Sequence, residues 1–280
     1  MASVEVEQFT DPFSPWCWAA QPTLRRLRYE FEDVAWTPRM TLLVPDPAPR
    51  AGRAERDAAD GEEPDDDAMR RTRWAATAAA GGLPVADGLW ADSLPSSRLA
   101  CAAVAFVRES APDRALPVLR RLRVAAIAEG RPLDETDGVA AVVGEVDGVE
   151  AAAVRRGLDD GRAADALVED LERAVEVAEG LDAVEVRGDV RLLDAAERLR
   201  SLQPDESGAE TPPNGGETSG AAADDGRDGE TRGAEEGNEA AEPTLLGPPA
   251  LRVERESVVV VDPRLPFSRL ASALGRAGPQ

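Results

Sequence analysis

Val4, Val6 and Phe9 alternate roughly with Glu5, Glu7 and Gln8. The stretch Thr10-Asp11-Pro12-Phe13-Ser14-Pro15 then breaks the alternation, and Leu24, Leu27 and Phe31 recur at helical spacing. A two-residue period that gives way, across prolines, to a period of about 3.6 is a strand entering a helix through a tight turn. Pro22 falls inside the helical pattern, where it removes a backbone donor, so an early kink is expected. Residues 34–44 read as a second strand, imperfect at Pro38. From 69 to about 180 the chain is dominated by helix formers punctuated by Pro, Gly and Asp, which predicts about four or five helices. Near the far end Leu251 and Val253 alternate with Arg252 and Glu254, residues 257–261 read as a buried strand, and 266–274 as a closing helix. Strand and helix units at both ends around a helical block describe an α/β chain: one mixed sheet, interrupted by an insertion, whose outer pieces pair in space.

The connecting stretches are of a different kind. Residues 45–67 lose all apolar periodicity and read as a solvated loop. Residues 184–202 are ambiguous between a short strand, VEVRG, and a helix, VRLLDAAERLRSL. Residues 203–243 are acidic and low in complexity, with too few large apolar side chains to offset ordering entropy, so disorder is expected there.

Charge narrows the chemistry. The 280 residues carry 32 basic and 54 acidic side chains, a formal net charge of −22, with no histidine and no lysine. That excludes Ser-His-Asp and Cys-His nucleophile pairs, histidine-based zinc sites, a P-loop lysine and a Schiff-base lysine. So negative a surface repels phosphate backbones and anionic lipid, and neither nucleic acid nor membrane is an expected partner. An acidic, lysine-free, Ala-, Val- and Arg-rich chain suits a salt-saturated cytoplasm, where screening removes the self-repulsion; an acidic binding face is the alternative. At 42% hydrophobic residues the chain can bury a core. Two cysteines are too few for a secreted disulfide scaffold, residues 1–9 lack a leader pattern, and no apolar run reaches transmembrane length, so a cytoplasmic location is expected. No metal and no cofactor is expected, and Asp65-Asp66-Asp67 reads as solvated surface.

Reactive groups concentrate at Ser14-Pro15-Trp16-Cys17-Trp18, where the first strand meets the first helix. Backbone N–H groups at a helix start favour a thiolate, so Cys17 is a candidate reactive thiol; an inert packed cysteine is the other reading. A two-thiol redox site needs cysteines at both ends of a four-residue turn, one to attack and one to resolve. Serine occupies the first place here, so a dithiol cycle at this turn is chemically closed. Cys101, in LACAAVAF, reads as apolar packing, with a Cys17–Cys101 disulfide as the alternative. Trp16 and Trp18 read either as rim of a substrate site or as core.

The segment EQFTDPFSPWCWAAQPTLRRLRYEF resembles the start of the DsbA/FrnE-type thioredoxin-like family, whose site usually reads Asp-Pro-x-Cys-Pro-Trp-Cys-Trp or Tyr. RWAATAAAGGLPVADGLWADSLPSSRLACAAVAF is similar to the family's helical insertion, at Trp74, Gly82-Leu83-Pro84, Leu89-Trp90, Ser96-Ser97 and Ala100-Cys101. GPPALRV resembles its Gly-x-Pro-Thr-Phe loop, which would make Pro249 the cis-proline facing the active-site helix. The resemblance implies a thioredoxin-like fold with an inserted helical subdomain. Its N-terminal half is expected at 1–45, an acidic loop at 46–67, the helical insertion at 68–180, the ambiguous segment and acidic insert at 181–246, and the C-terminal half at 247–280. It further implies thiol-disulfide oxidoreductase chemistry with Cys17 and Ser14 at the centre. Pro15, Trp16, Trp18, Pro248 and Pro249 would lie on the substrate side, and the partner would be a thiol- or disulfide-containing protein or a small-molecule thiol. Because Ser14 replaces the nucleophilic cysteine, the expected activity is single-thiol or degenerate. The alternatives are a polypeptide-binding adapter, or a small-thiol transferase or isomerase using Ser14, as in kappa-type glutathione transferases and chromene-carboxylate isomerases.

Overall fold

A computed structural model of the chain describes residues 4–45, 66–89, 95–202, 243–254 and 257–275. β1 (Glu5–Thr10) leads through a turn into α1 (Pro15–Ala19) and α2 (Gln21–Glu30), and β2 (Ala35–Met40) returns beside β1. The expected kinked helix is two helices. They separate at Ala20, and Pro22 sits in the first turn of α2, where its missing N–H is no loss. β2 is shorter than the predicted strand because Leu42, at φ 45°, turns the chain away. Pro38 is tolerated since β2 is an edge strand among the described residues, pairing on one flank with β1.

The helical block holds α3 (Asp66–Ala79), α4 (Arg98–Ser110), α5 (Pro112–Arg123), α6 (Thr136–Val143), α7 (Ala151–Asp159) and α8 (Arg162–Glu179). A π-helical turn, Val124–Ala128, continues α5. α6 is the helix beyond the expected set. Its valines and Gly138 weaken the local helical signal, and it forms by packing Val139, Val142 and Val143 into the core. The ambiguous segment contains both alternatives, as β3 (Glu185–Arg187), β4 (Leu192–Asp194) and α9 (Ala195–Ser201). β5 (Thr244–Leu246), β6 (Ala250–Glu254), β7 (Val258–Val261) and α10 (Phe267–Ala273) follow. Residues 46–65 of the expected loop and 203–242 of the expected disordered tract lie outside the described residues.

The main sheet has the order β2-β1-β6-β7-β3, and β4 pairs with β5 in a separate ribbon. β1 runs parallel to β2, with Thr10 opposite Met40, and antiparallel to β6, with Phe9 opposite Ala250. The two ends of the chain thus meet at β1. Alternation along β1 divides the core. Phe9 and Met40 face the helical block, while Val6 packs with Leu24, Leu27, Phe31, Leu251, Val253 and Leu270 beneath α2 and α10. Each large aliphatic or aromatic side chain so buried is worth about 1.5–3 kcal/mol over an exposed one.

Asp170 of α8 fastens the helical block to the sheet. Its fully buried carboxylate accepts from the Met40 N–H at 2.8 Å, from Arg108 at 2.5 Å and from Arg39 at 3.1 Å. The chain after α3 is pressed onto α1 at Gly81, where a Cβ would lie 2.5 Å from the Ala19 Cα, so only glycine fits.

Candidate functional site

The turn between β1 and α1 is built by its own polar side chains. Ser14 caps α1, its Oγ accepting from the Cys17 N–H at 3.2 Å, and Pro15 follows at a position that suits its fixed φ. Asp11 shapes the turn from within. Its Oδ1 accepts from the Phe13 N–H at 2.7 Å, and its Oδ2 accepts from the Leu43 N–H at 2.7 Å and the Ser97 hydroxyl at 2.6 Å. The second cysteine reaches the same carboxylate, Cys101 Sγ lying 3.4 Å from Asp11 Oδ2. Burial first, and then the Asp11 charge, push the Cys101 thiol well above its ordinary value.

Cys17, one turn into α1, is fully buried, as is Ser14. The Thr10 hydroxyl donates to Cys17 Sγ at 3.2 Å. Behind it Arg123, also fully buried, donates from Nη2 to the Thr10 hydroxyl and, at 3.3 Å, to the Asp11 carbonyl. Its Nε has no hydrogen-bond partner among the described residues. Arg123, Thr10, Asp11 and Ser97 therefore hold the turn from below, and Cys17 and Cys101 are both free thiols.

On the facing side the Pro248–Pro249 peptide bond is cis, and both prolines are buried. The pairing of Phe9 with Ala250 sets this loop beside the end of β1 that feeds the Cys17 turn. A second link closes the gap. The Gly247 N–H bonds the Arg191 carbonyl at 2.7 Å, and the Arg191 guanidinium carbon lies 4.2 Å from the centre of the Trp16 ring. Trp16, half-buried, meets Trp74 of α3 edge to face at 5.5 Å. Trp18 is instead core, 4% exposed, and Pro15 is buried.

Ser14, Pro15, Trp16 and Cys17 thus share one end of the sheet with Pro248 and Pro249, while Trp18 points into the interior. Sequence reasoning did not find Arg123 or Arg191. Arg123 stands in RRLRVAAIA, where two neighbouring arginines give the same signal, and nothing in VRLL singles out Arg191.

Residues 5–180 match the model of the family described as the DSBA-like thioredoxin domain. The chain belongs to the DsbA-like thioredoxin family. Members of this oxidoreductase family act on thiol and disulfide substrates. No curated protein matches the chain. Among solved structures, a candidate protein disulfide isomerase from Nitrosomonas europaea is 13% identical, with TM-score 0.50 over 63% of this chain and 80% of that one. That likeness shows the thioredoxin-like fold. The cytosolic disulfide reductase DsbM from Pseudomonas aeruginosa is 17% identical, with TM-score 0.44 over 62% of this chain and 81% of that one. A candidate DsbA oxidoreductase from Streptomyces coelicolor is 18% identical, with TM-score 0.47 over 75% and 93% respectively. Among the described residues no helix is long and apolar enough to cross a membrane.

Proposed function

We propose that this DsbA-like chain is a degenerate oxidoreductase. Two-thiol exchange is lost, and the junction between α1 and the Pro248–Pro249 loop is kept to hold a thiol- or disulfide-bearing ligand, either a protein or a small-molecule thiol. The observation that carries this reading is the placement of sulfur: both cysteines are buried and free, and Ser14 stands where α1 begins. Reducing a substrate disulfide takes two electrons and two protons, which a dithiol supplies as it closes to its own disulfide. With a single sulfur at the turn, exchange stops at a mixed disulfide. Pro15, Trp16, Pro248 and Pro249 are the ligand-side residues in this reading. Trp18, as core, supports them from beneath. Free thiols suit a reducing compartment, and the cytoplasm is the location proposed.

One observation favours a lone-thiol role beside this reading: the Thr10 hydroxyl, backed by Arg123, donates to Cys17 Sγ. In that role Cys17 bonds to one substrate sulfur and releases the other as a thiol. The test is catalysed reduction of a disulfide-bonded protein by dithiothreitol. The wild type is expected at the uncatalysed rate and Ser14→Cys above it; turnover by the wild type equal to that of Ser14→Cys would overturn the proposal. Trapping of mixed disulfides that disappear in Cys17→Ala selects the lone-thiol role.

A further inference from the structure

Arginine is the chain's only cationic side chain, and among the described residues many guanidinium groups are claimed by carboxylates. Arg264 forks onto Asp262 at 2.7 Å, Arg187 pairs with Glu185 at 2.7 Å, and Arg252 meets Glu7 at 3.1 Å. Arg191 differs. It is exposed, and among the described residues its guanidinium makes no hydrogen bond and no ion pair. Its guanidinium carbon lies over the Trp16 ring, 4.2 Å from the ring centre. Trp74 props that ring, and the Gly247 N–H holds the Arg191 carbonyl. Glycine is required there, since a Cβ at 247 would lie 2.9 Å from Leu193 Cγ and 3.2 Å from the Arg191 carbonyl oxygen. Desolvation of its inner part, and then the like charge of Arg264, draw Arg191 below the ordinary arginine value.

We propose that Arg191 is a specificity-determining residue, its open fork taking the carboxylate of a thiol-bearing ligand held between the α1 turn and the Pro248–Pro249 loop. The thiol half of this statement rests on the function proposed above; the carboxylate half rests on Arg191 itself. A planar fork with its donors unclaimed matches a carboxylate in two parallel hydrogen bonds. A singly charged group also suits a chain of net charge −22 better than a phosphate, whose second charge doubles the long-range repulsion. The carboxylate belongs either to a small acidic thiol or to an acidic residue next to cysteine in a polypeptide.

Calorimetric titration with matched probes separates the parts. N-acetylcysteine carries thiol and carboxylate, its amide only the thiol, and N-acetylalanine only the carboxylate. The wild type is expected to bind N-acetylcysteine about tenfold or more tightly than the amide. Arg191→Gln should erase that preference. Arg191→Lys, which keeps the charge without the fork, should restore part of it. Equal binding of acid and amide by the wild type overturns the role of Arg191 while leaving the thiol reading in place. N-acetylalanine binding as well as N-acetylcysteine overturns the thiol reading and keeps Arg191, and no binding of any probe overturns both. Blocked peptides containing Cys-Asp or Cys-Asn identify the source: preference for Cys-Asp assigns the carboxylate to a polypeptide, and equal binding of the two assigns it to a small acid.

Discussion

Replacing Asp170 by asparagine removes the negative charge that faces two guanidinium groups and the Met40 amide at the seam between sheet and helices. The new side chain keeps its shape and can still accept from Met40, so the loss falls on the arginines. Arg39 retains Glu7 at 3.2 Å. Arg108, its side chain 10% exposed, retains among the described residues only the Pro38 carbonyl at 3.2 Å. Breaking a buried pair from one side costs about 3–5 kcal/mol because the other charge is left without compensation. With Arg39 still paired, the low end applies, about 3 kcal/mol. At roughly 2–4 °C per kcal/mol for a chain of this size, the melting midpoint should fall by about 6–12 °C. Arg108→Met should cost a similar amount alone, yet little more when added to Asp170→Asn, since the costly state is the half-broken pair. Thermal unfolding followed by circular dichroism across this double-mutant cycle measures both numbers. A midpoint change under about 2 °C for Asp170→Asn, or fully additive losses in the double variant, would refute the reasoning.

Glu7 supplies a test in acid. Burial pushes its carboxyl up, but Arg173, Arg39 and Arg252 together hold it below the ordinary 4.5. The folded chain therefore favours the ionised form, and the stability this lends is complete above pH 4.5 and lost as pH falls through the lower folded value. Because these pairs are partly exposed, the contribution is about 1 kcal/mol. Glu7→Gln should flatten the decline of the melting midpoint below pH 4.5, and curves that stay parallel to the wild type would contradict the assignment. Thiol accessibility gives a third check. A chromogenic disulfide reagent should find no rapidly reacting thiol in the native chain and both cysteines once it is unfolded. One fast thiol in the native state would mean that Cys17 is reached from solvent.

The frame of the fold was legible because its signals are local. Val6 and Phe9 on opposite faces of β1, the prolines at the turn, and the β6–β7 hairpin each declare themselves within a few residues. The helix break at Ala20 was misplaced because Pro22 breaks a helix or begins one depending on where the first turn falls. β3 and β4 stayed ambiguous because three-residue strands carry too little periodicity to separate from a helix. Motif singled out Ser14, Trp16, Cys17 and Pro249, which the fold gathers at one end of the sheet, while Trp18 lies in the core. Arg123 and Arg191 were illegible for one reason: a guanidinium in sequence looks the same whether it is sealed beneath Thr10 or left open above Trp16. Only the packing of distant elements tells them apart.

The pairing of β1 with β2 on one flank and β6 on the other has a consequence for how the molecule is made. A ribosome delivers β1, α1 and β2 early, and the strand that completes β1 arrives more than two hundred residues later, Phe9 waiting for Ala250. Until then the nascent chain carries an open strand edge and bare apolar side chains, the condition that invites holdase chaperones or aggregation. Ser14 and Cys17 are thus made long before the strand that completes their surroundings.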